Sequence, residues 1–226
     1  VTIQEHHLSA VRTARYFTLG SAAAAASEIW FVLHGYGQLA GRFLRAFEPL
    51  DDGSRSIIAP EGLSRFYLES GSEGRAHDKV GATWMTREDR LTDIADYVRY
   101  LDTLYDAVLL GRVRPGGVCV LGFSQGTATA ARWLAQGSAR ANRLILYGGE
   151  VPPDLDLVAA RARWERTGLT LVAGSADPYI TPKILARDEA RLREHGIEYR
   201  VEHFEGGHEI RAEVLQRIAT PITDDR

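Results

Sequence analysis

The 226-residue chain has one cysteine (Cys119), one methionine (Met85), one asparagine (Asn142) and only two lysines, Lys79 and Lys183. A lone cysteine excludes an internal disulfide and any zinc cage built from thiolates. It lies in the apolar run V-C-V-L, where a buried strand position is expected. Net charge is also nearly absent, because 27 basic and 30 acidic side chains leave −3. That balance gives no electrostatic footprint for nucleic acid or for an anionic membrane. Long hydrophobic runs are missing as well. Stretches such as residues 29–33 fall far short of the ~20 residues of a bilayer span, so no stable membrane insertion is expected. No basic segment followed by an apolar stretch stands near the N-terminus, so no secretory signal is visible and a cytoplasmic location is the plain reading. Zinc-hydrolase spacing is absent too: no two histidines stand at i, i+4 around a glutamate, and the adjacent His6 and His7 point apart on any regular element. The shortage of lysine is offset by 25 arginines. Together with many alanines, these read as a coding bias rather than as an arginine-rich substrate site.

What is present is ordinary globular composition, 45% apolar and 25% charged, at a length that suits one domain over residues 1–226. Strands are expected at residues 15–19, 29–33, 54–59, 118–122, 143–147, 169–173 and 199–204. The alanine run at 22–26 reads as a linker. Thr86, with Asp89 in the capping-box place, opens a helix whose stripe is Leu91, Ile94, Ala95, Val98, Leu101, Tyr105 and Val108. Pro115 and the following glycines break the chain before the next strand. Further helices are expected at 127–136, 154–166, from Thr181-Pro182 to Gly196, and at 209–219. Strands alternating with helices at this spacing imply an α/β fold with a mostly parallel sheet covered on both faces.

The most informative segment is V-C-V-L-G-F-S-Q-G. Gly122, Ser124 and Gly126 form G-x-S-x-G between an apolar strand and a helix. A serine at the apex of such a sharp turn needs glycine on either side, because a side chain there would collide with the crossing backbone. The helix behind it aims its first N–H groups at a developing oxyanion. A serine nucleophile needs a base, and the base an orienting acid. In folds using this turn they follow in the order serine, acid, histidine. His208 in E-G-G-H-E-I, just past the last strand, is the expected base, whereas His203 falls inside that strand. Asp177 in G-S-A-D-P-Y-I is the expected acid, with Glu150 in Y-G-G-E-V as the alternative. The oxyanion donors should be the backbone N–H of Gln125 and, from L-H-G-Y-G-Q, that of Tyr36, with Gly35 as the fallback. His34 is expected to brace that loop by hydrogen bonds.

These four segments together make the chain resemble the phospholipase/carboxylesterase branch of the α/β-hydrolases, which includes acyl-protein thioesterases. The matching pieces are residues 33–37, 122–126, 174–180 and 206–210, in the family's order and spread over most of the chain. The resemblance implies cofactor-free hydrolysis of carboxylic esters or thioesters and a second oxyanion donor at Tyr36. It departs at Gln38, where an acidic residue commonly follows H-G-x-G, and over residues 66–85. A lid, where this fold has one, is usually inserted between the strands at 143–147 and 169–173. That connection is short here, so an open site with no lid domain is expected. The substrate pocket would then be shaped by the 60–83 connection with Phe66, Trp84 and Met85, although Trp84 could equally pack beneath the following helix.

The expected function is a serine carboxylesterase acting on small-molecule esters of short to medium acyl chains through an acyl-enzyme. Activity should fall at acid pH as the imidazole takes up a proton. The same triad could serve a thioesterase, a lysophospholipase or a peptidase. From another class, the fold could carry a non-catalytic binding protein, although such proteins generally lose a triad residue.

Overall fold

A computed structural model describes residues 2–68, 79–110 and 116–220. The expectation for Pro115 and the middle of the 60–83 connection lie outside the described residues. The described strands are β1 (Tyr16–Gly20), β2 (Glu28–Leu33), β3 (Arg55–Pro60), β4 (Ser64–Tyr67), β5 (Val80–Thr83), β6 (Val118–Phe123), β7 (Arg143–Tyr147), β8 (Gly168–Gly174) and β9 (Tyr199–Phe204). Helices are α1 (Ala40–Phe43), which runs on into a 3-10 turn at Leu44–Leu50, then α2 (Arg90–Leu109), α3 (Gln125–Gln136), α4 (Leu157–Trp164), α5 (Pro182–Glu194) and α6 (Ala212–Ala219).

Seven strands form one sheet in the order β1-β3-β2-β6-β7-β8-β9, in which only β1 runs antiparallel to its neighbour. The central strands are apolar throughout because both faces are covered, and the two-residue period sorts their side chains between the faces. Ile29, Phe31 and Leu33 of β2, with Val118 and Val120 of β6, pack under α2 to α5 with Ile94, Leu101 and Trp133. The alternating residues Trp30, Val32, Cys119 and Leu121 pack under α1, the 3-10 turn and α6 with Phe43, Phe47 and Leu215. Each such fully buried side chain contributes about 1.5–3 kcal/mol relative to leaving it exposed. The parallel register pairs Leu33 with Gly122, Phe123 with Tyr147 and Gly174 with Phe204. The loops after β2, β6, β7, β8 and β9 therefore all emerge at one edge.

Four helix starts differ from expectation: α3 begins at Gln125 rather than 127, α4 at Leu157 rather than 154, and α2 and α6 are displaced as well. Helix α2 begins at Arg90 rather than behind Thr86, because Asp89 adopts a left-handed backbone (φ 46°) and its side chain does not cap. The carboxylate of Asp93 instead reaches back to accept the Thr86 N–H at 3.1 Å. Leu91 and Ala95 of the expected stripe face solvent, and Tyr97 and Leu104 take their places in the core. Helix α6 begins at Ala212, since Arg211 is extended and its N–H donates to the Tyr147 hydroxyl at 3.1 Å. By contrast α5 starts as expected, with Thr181 Oγ1 accepting from the Ile184 N–H and proline in the first turn. The 60–83 connection holds an unforeseen antiparallel hairpin, β4 with β5.

Candidate active site

The turn from β6 into α3 places Ser124 at φ 54°, ψ −119°. Ser124 and Asp89 are the two non-glycine residues with positive φ among the described residues. Such a conformation costs on the order of 1–3 kcal/mol and persists only where packing fixes it. The flanking glycines explain how. A Cβ on Gly122 would lie 2.1 Å from the Gly126 carbonyl oxygen, and one on Gly126 would lie 2.2 Å from that of Leu33. The turn is secured by the Ser124 N–H donating to Tyr147 O at 3.0 Å and by the Thr127 hydroxyl donating to Ser124 O at 2.7 Å.

Asp177 follows β8 and is almost fully buried. One carboxylate oxygen accepts the N–H groups of Tyr179 at 2.8 Å and Ile180 at 3.1 Å. The other is 2.9 Å from Nδ1 of His208. With Nδ1 so engaged, Nε2 is left on the far side of the ring. The imidazole lies between two aromatic rings, with Phe123 tilted at 4.9 Å and Tyr179 edge-on at 4.7 Å. Phe123 directly precedes Ser124, so one side chain links the serine turn to the histidine ring. Among the described residues the Ser124 hydroxyl makes no hydrogen bond to His208. Catalytic contacts of this type often tighten only around a substrate.

The alternatives are placed elsewhere. Glu150 pairs with Arg187 at 2.6 Å, and His203 is exposed on β9. His34 is fully buried, accepts the Gly62 N–H on Nε2 at 3.0 Å and so carries its proton on Nδ1, which faces Gly35 O at 2.8 Å. Burial holds its pKa below the usual imidazole value. It is a neutral brace, as its sequence context suggested. Burial likewise pushes the Cys119 thiol up to about 12, which removes it as a nucleophile.

The loop after β2 is held by features the sequence reading missed. Gln38 Oε1 accepts the Gly35 N–H at 2.8 Å, and Gly37 donates to Ala82 O of the hairpin at 2.9 Å. Gly35 is thus occupied as a donor. Among the described residues the N–H groups of Tyr36 and Gln125 donate to no protein acceptor. The Gln125 side chain bonds Thr83, the Trp84 N–H and Met85 O at 2.9–3.1 Å, tying α3 to the segment behind β5. No local signal announces these pairings, which join residues about 40 positions apart.

Of the three residues expected on the pocket wall, Trp84 is in the core instead, only 2% exposed. Its indole N–H donates to His34 O at 2.8 Å, and its ring packs against His34 and Tyr97. Met85 is half-buried against the same core. Phe66 reaches the surface beside the site, with its ring 5.1 Å from that of Tyr36. A cleft of about 470 Å³ is lined by His208 and Phe123 together with Leu39, Phe43, Ile210, Arg42 and Lys79. The larger depression, about 930 Å³ around Trp164, Gly168 and Tyr199, opens at the opposite edge, where β8 and β9 begin. In parallel sheets ligands bind beyond the carboxyl ends of the strands, so the smaller cleft is the relevant one. Among the described residues one set of metal-type ligands, Glu5, His7 and Asp89, comes together, and all three are exposed.

A mostly parallel sheet with helices on both faces, and a strained serine turn at its carboxyl edge, defines an α/β-hydrolase. The sequence profile of the phospholipase/carboxylesterase family matches residues 15–224, and the chain belongs to that family. Among solved structures it is similar to a carboxylesterase from Mesorhizobium loti (18% identity, 92% of this chain and 95% of that one, TM-score 0.69). It is also similar to acyl-protein thioesterase 2 from Zea mays (17%, 91% and 96%, 0.67) and to the esterase PE8 (19%, 92% and 96%, 0.67). At such identities the likeness is one of fold. No curated protein matches the sequence.

Proposed function

We propose that the protein is a serine carboxylesterase that transfers the acyl group of a small ester to Ser124 and then to water. The observation that carries this reading is the His208–Asp177 pair at 2.9 Å, opening on the same sheet edge as a serine held at φ 54°. His208 takes the Ser124 proton as the hydroxyl attacks the carbonyl carbon. Asp177, fixed by two backbone N–H groups, keeps the imidazole proton on Nδ1 and balances the imidazolium that forms. The N–H groups of Tyr36 and Gln125 stabilise the tetrahedral oxyanion. His208 then protonates the leaving alcohol, and a water molecule repeats the sequence on the acyl-enzyme.

The acyl chain lies in the cleft that His208 and Phe123 line, and the Phe66 ring packs against Tyr36 of the oxyanion loop. Trp84 and Met85 act from beneath, by holding Gln125 in place. A thioester substrate would use the same groups, and the similarity to a plant acyl-protein thioesterase keeps that second reading in view. The deciding experiment is hydrolysis of p-nitrophenyl esters from acetate to palmitate by the wild-type protein and Ser124→Ala. Activity confined to the wild type and highest at short to medium chains supports the proposal. Equal activity in both proteins removes Ser124 as nucleophile.

A further inference from the structure

The cleft that meets His208 is lined by apolar side chains such as Leu39, Phe43 and Ile210, and by two cations. Arg42 projects from α1 and Lys79 stands just ahead of β5, both exposed and both lining the cleft. Among the described residues neither side chain has a hydrogen-bonding or ionic partner. Arg15, Arg55, Arg90, Arg132 and Arg143, by contrast, each pair with a carboxylate. One acidic residue lines the same cleft, Glu209, and the Arg211 guanidinium already holds it through two bonds at 2.9 and 2.7 Å. Gln38 contributes only a neutral amide, whose oxygen is engaged by Gly35. Among the described residues that line the cleft, the uncompensated charge is therefore positive, in a chain whose net charge is −3.

We infer that Arg42 and Lys79 form a subsite for an anion carried by the acyl group, so that the preferred substrates are esters whose acyl chain bears a carboxylate or phosphate. The inference rests on the esterase reading of this site and adds the substrate class. An anion there meets a guanidinium fork and an ammonium with no competing partner to displace, while the methylene chain covers Leu39 and Phe43. The contact is the same in ground and transition states, so it acts on KM rather than kcat. Partial exposure makes it sensitive to salt.

The test compares mono-p-nitrophenyl adipate with p-nitrophenyl hexanoate, and the suberate with the octanoate, at equal chain lengths. A 6-phosphonohexanoyl ester serves as the phosphate arm. The wild type should favour the anionic member of each pair about tenfold in KM, less so at 0.5 M salt. Arg42→Glu should abolish the preference and Lys79→Ala should reduce it, read as the ratio of KM values for the charged and neutral members of each pair. A larger preference for the phosphonate than for adipate assigns phosphate over carboxylate. An equal KM for charged and neutral esters overturns the subsite, as does a preference that survives Arg42→Glu. A protein that hydrolyses no ester refutes the esterase reading instead. The subsite is then judged by calorimetry of monomethyl suberate on Ser124→Ala, where binding that Arg42→Glu removes upholds it and no binding overturns it.

Discussion

The loop after β2 and the loop after β9 each carry a histidine beside glycines, and they treat it in opposite ways. His34 is sealed in the core, with a backbone carbonyl on one ring nitrogen and a backbone N–H on the other. His208 is bound on Nδ1 alone, by a carboxylate, and keeps part of its ring open to the cleft. A nitrogen that accepts a backbone N–H cannot take a proton without breaking that bond, and burial penalises the resulting charge. A nitrogen left open opposite a carboxylate can. Glycine context is common to both loops; the partner of the second nitrogen separates a brace from a base.

That contrast can be broken most sharply at His208. His208→Ala should lower kcat/KM on the best p-nitrophenyl ester by about 10⁴-fold while leaving the thermal unfolding midpoint within a few degrees of wild type. A loss smaller than tenfold would remove His208 as base. His34 should respond in the reverse sense. His34→Ala empties a buried site and orphans the Gly62 N–H, so urea unfolding should show a loss of about 3 kcal/mol.

The His34 pKa is lowered by burial, so its contribution to stability is fully present above the ordinary imidazole value of about 6.5. Below it the unfolded chain takes up a proton that the folded one refuses, and stability falls as pH drops toward the folded pKa. Denaturation at pH 8 and pH 5.5 should show this acid loss in the wild type and a smaller one in His34→Gln. The least effect belongs to a third histidine, His203 on the exposed face of β9. Its replacement by alanine should change stability by no more than about 0.5 kcal/mol and leave the rate unaltered.

Much of this arrangement was legible in the chain because its signals are local. The strands at 143–147 and 199–204 are copied unchanged in the structure, since a short apolar or alternating run between turn residues specifies them alone. Glycines two residues either side of a serine announce their turn for the same reason. What stayed hidden depends on pairing across distance. Strands β4 and β5 are each only four residues and exist because they pair with one another and with the loop after β2. Trp84 could be read as pocket wall or as core, and the choice between them stayed hidden because the carbonyl that satisfies its indole lies 50 residues away. The helix start at Thr86 failed on a single backbone angle, at Asp89.

The sheet ends at β9, whose outer backbone groups face no strand among the described residues. An unpaired edge of that kind invites a second molecule to add its own strand. Here Arg200, Glu202 and His203 stand along it, and Arg217 of α6 pairs with Glu202 across its flank. A visiting strand would have to strip water from those charges before any backbone pairing formed. The charges along β9 thus weigh against a second copy of the chain adding its own strand to this edge.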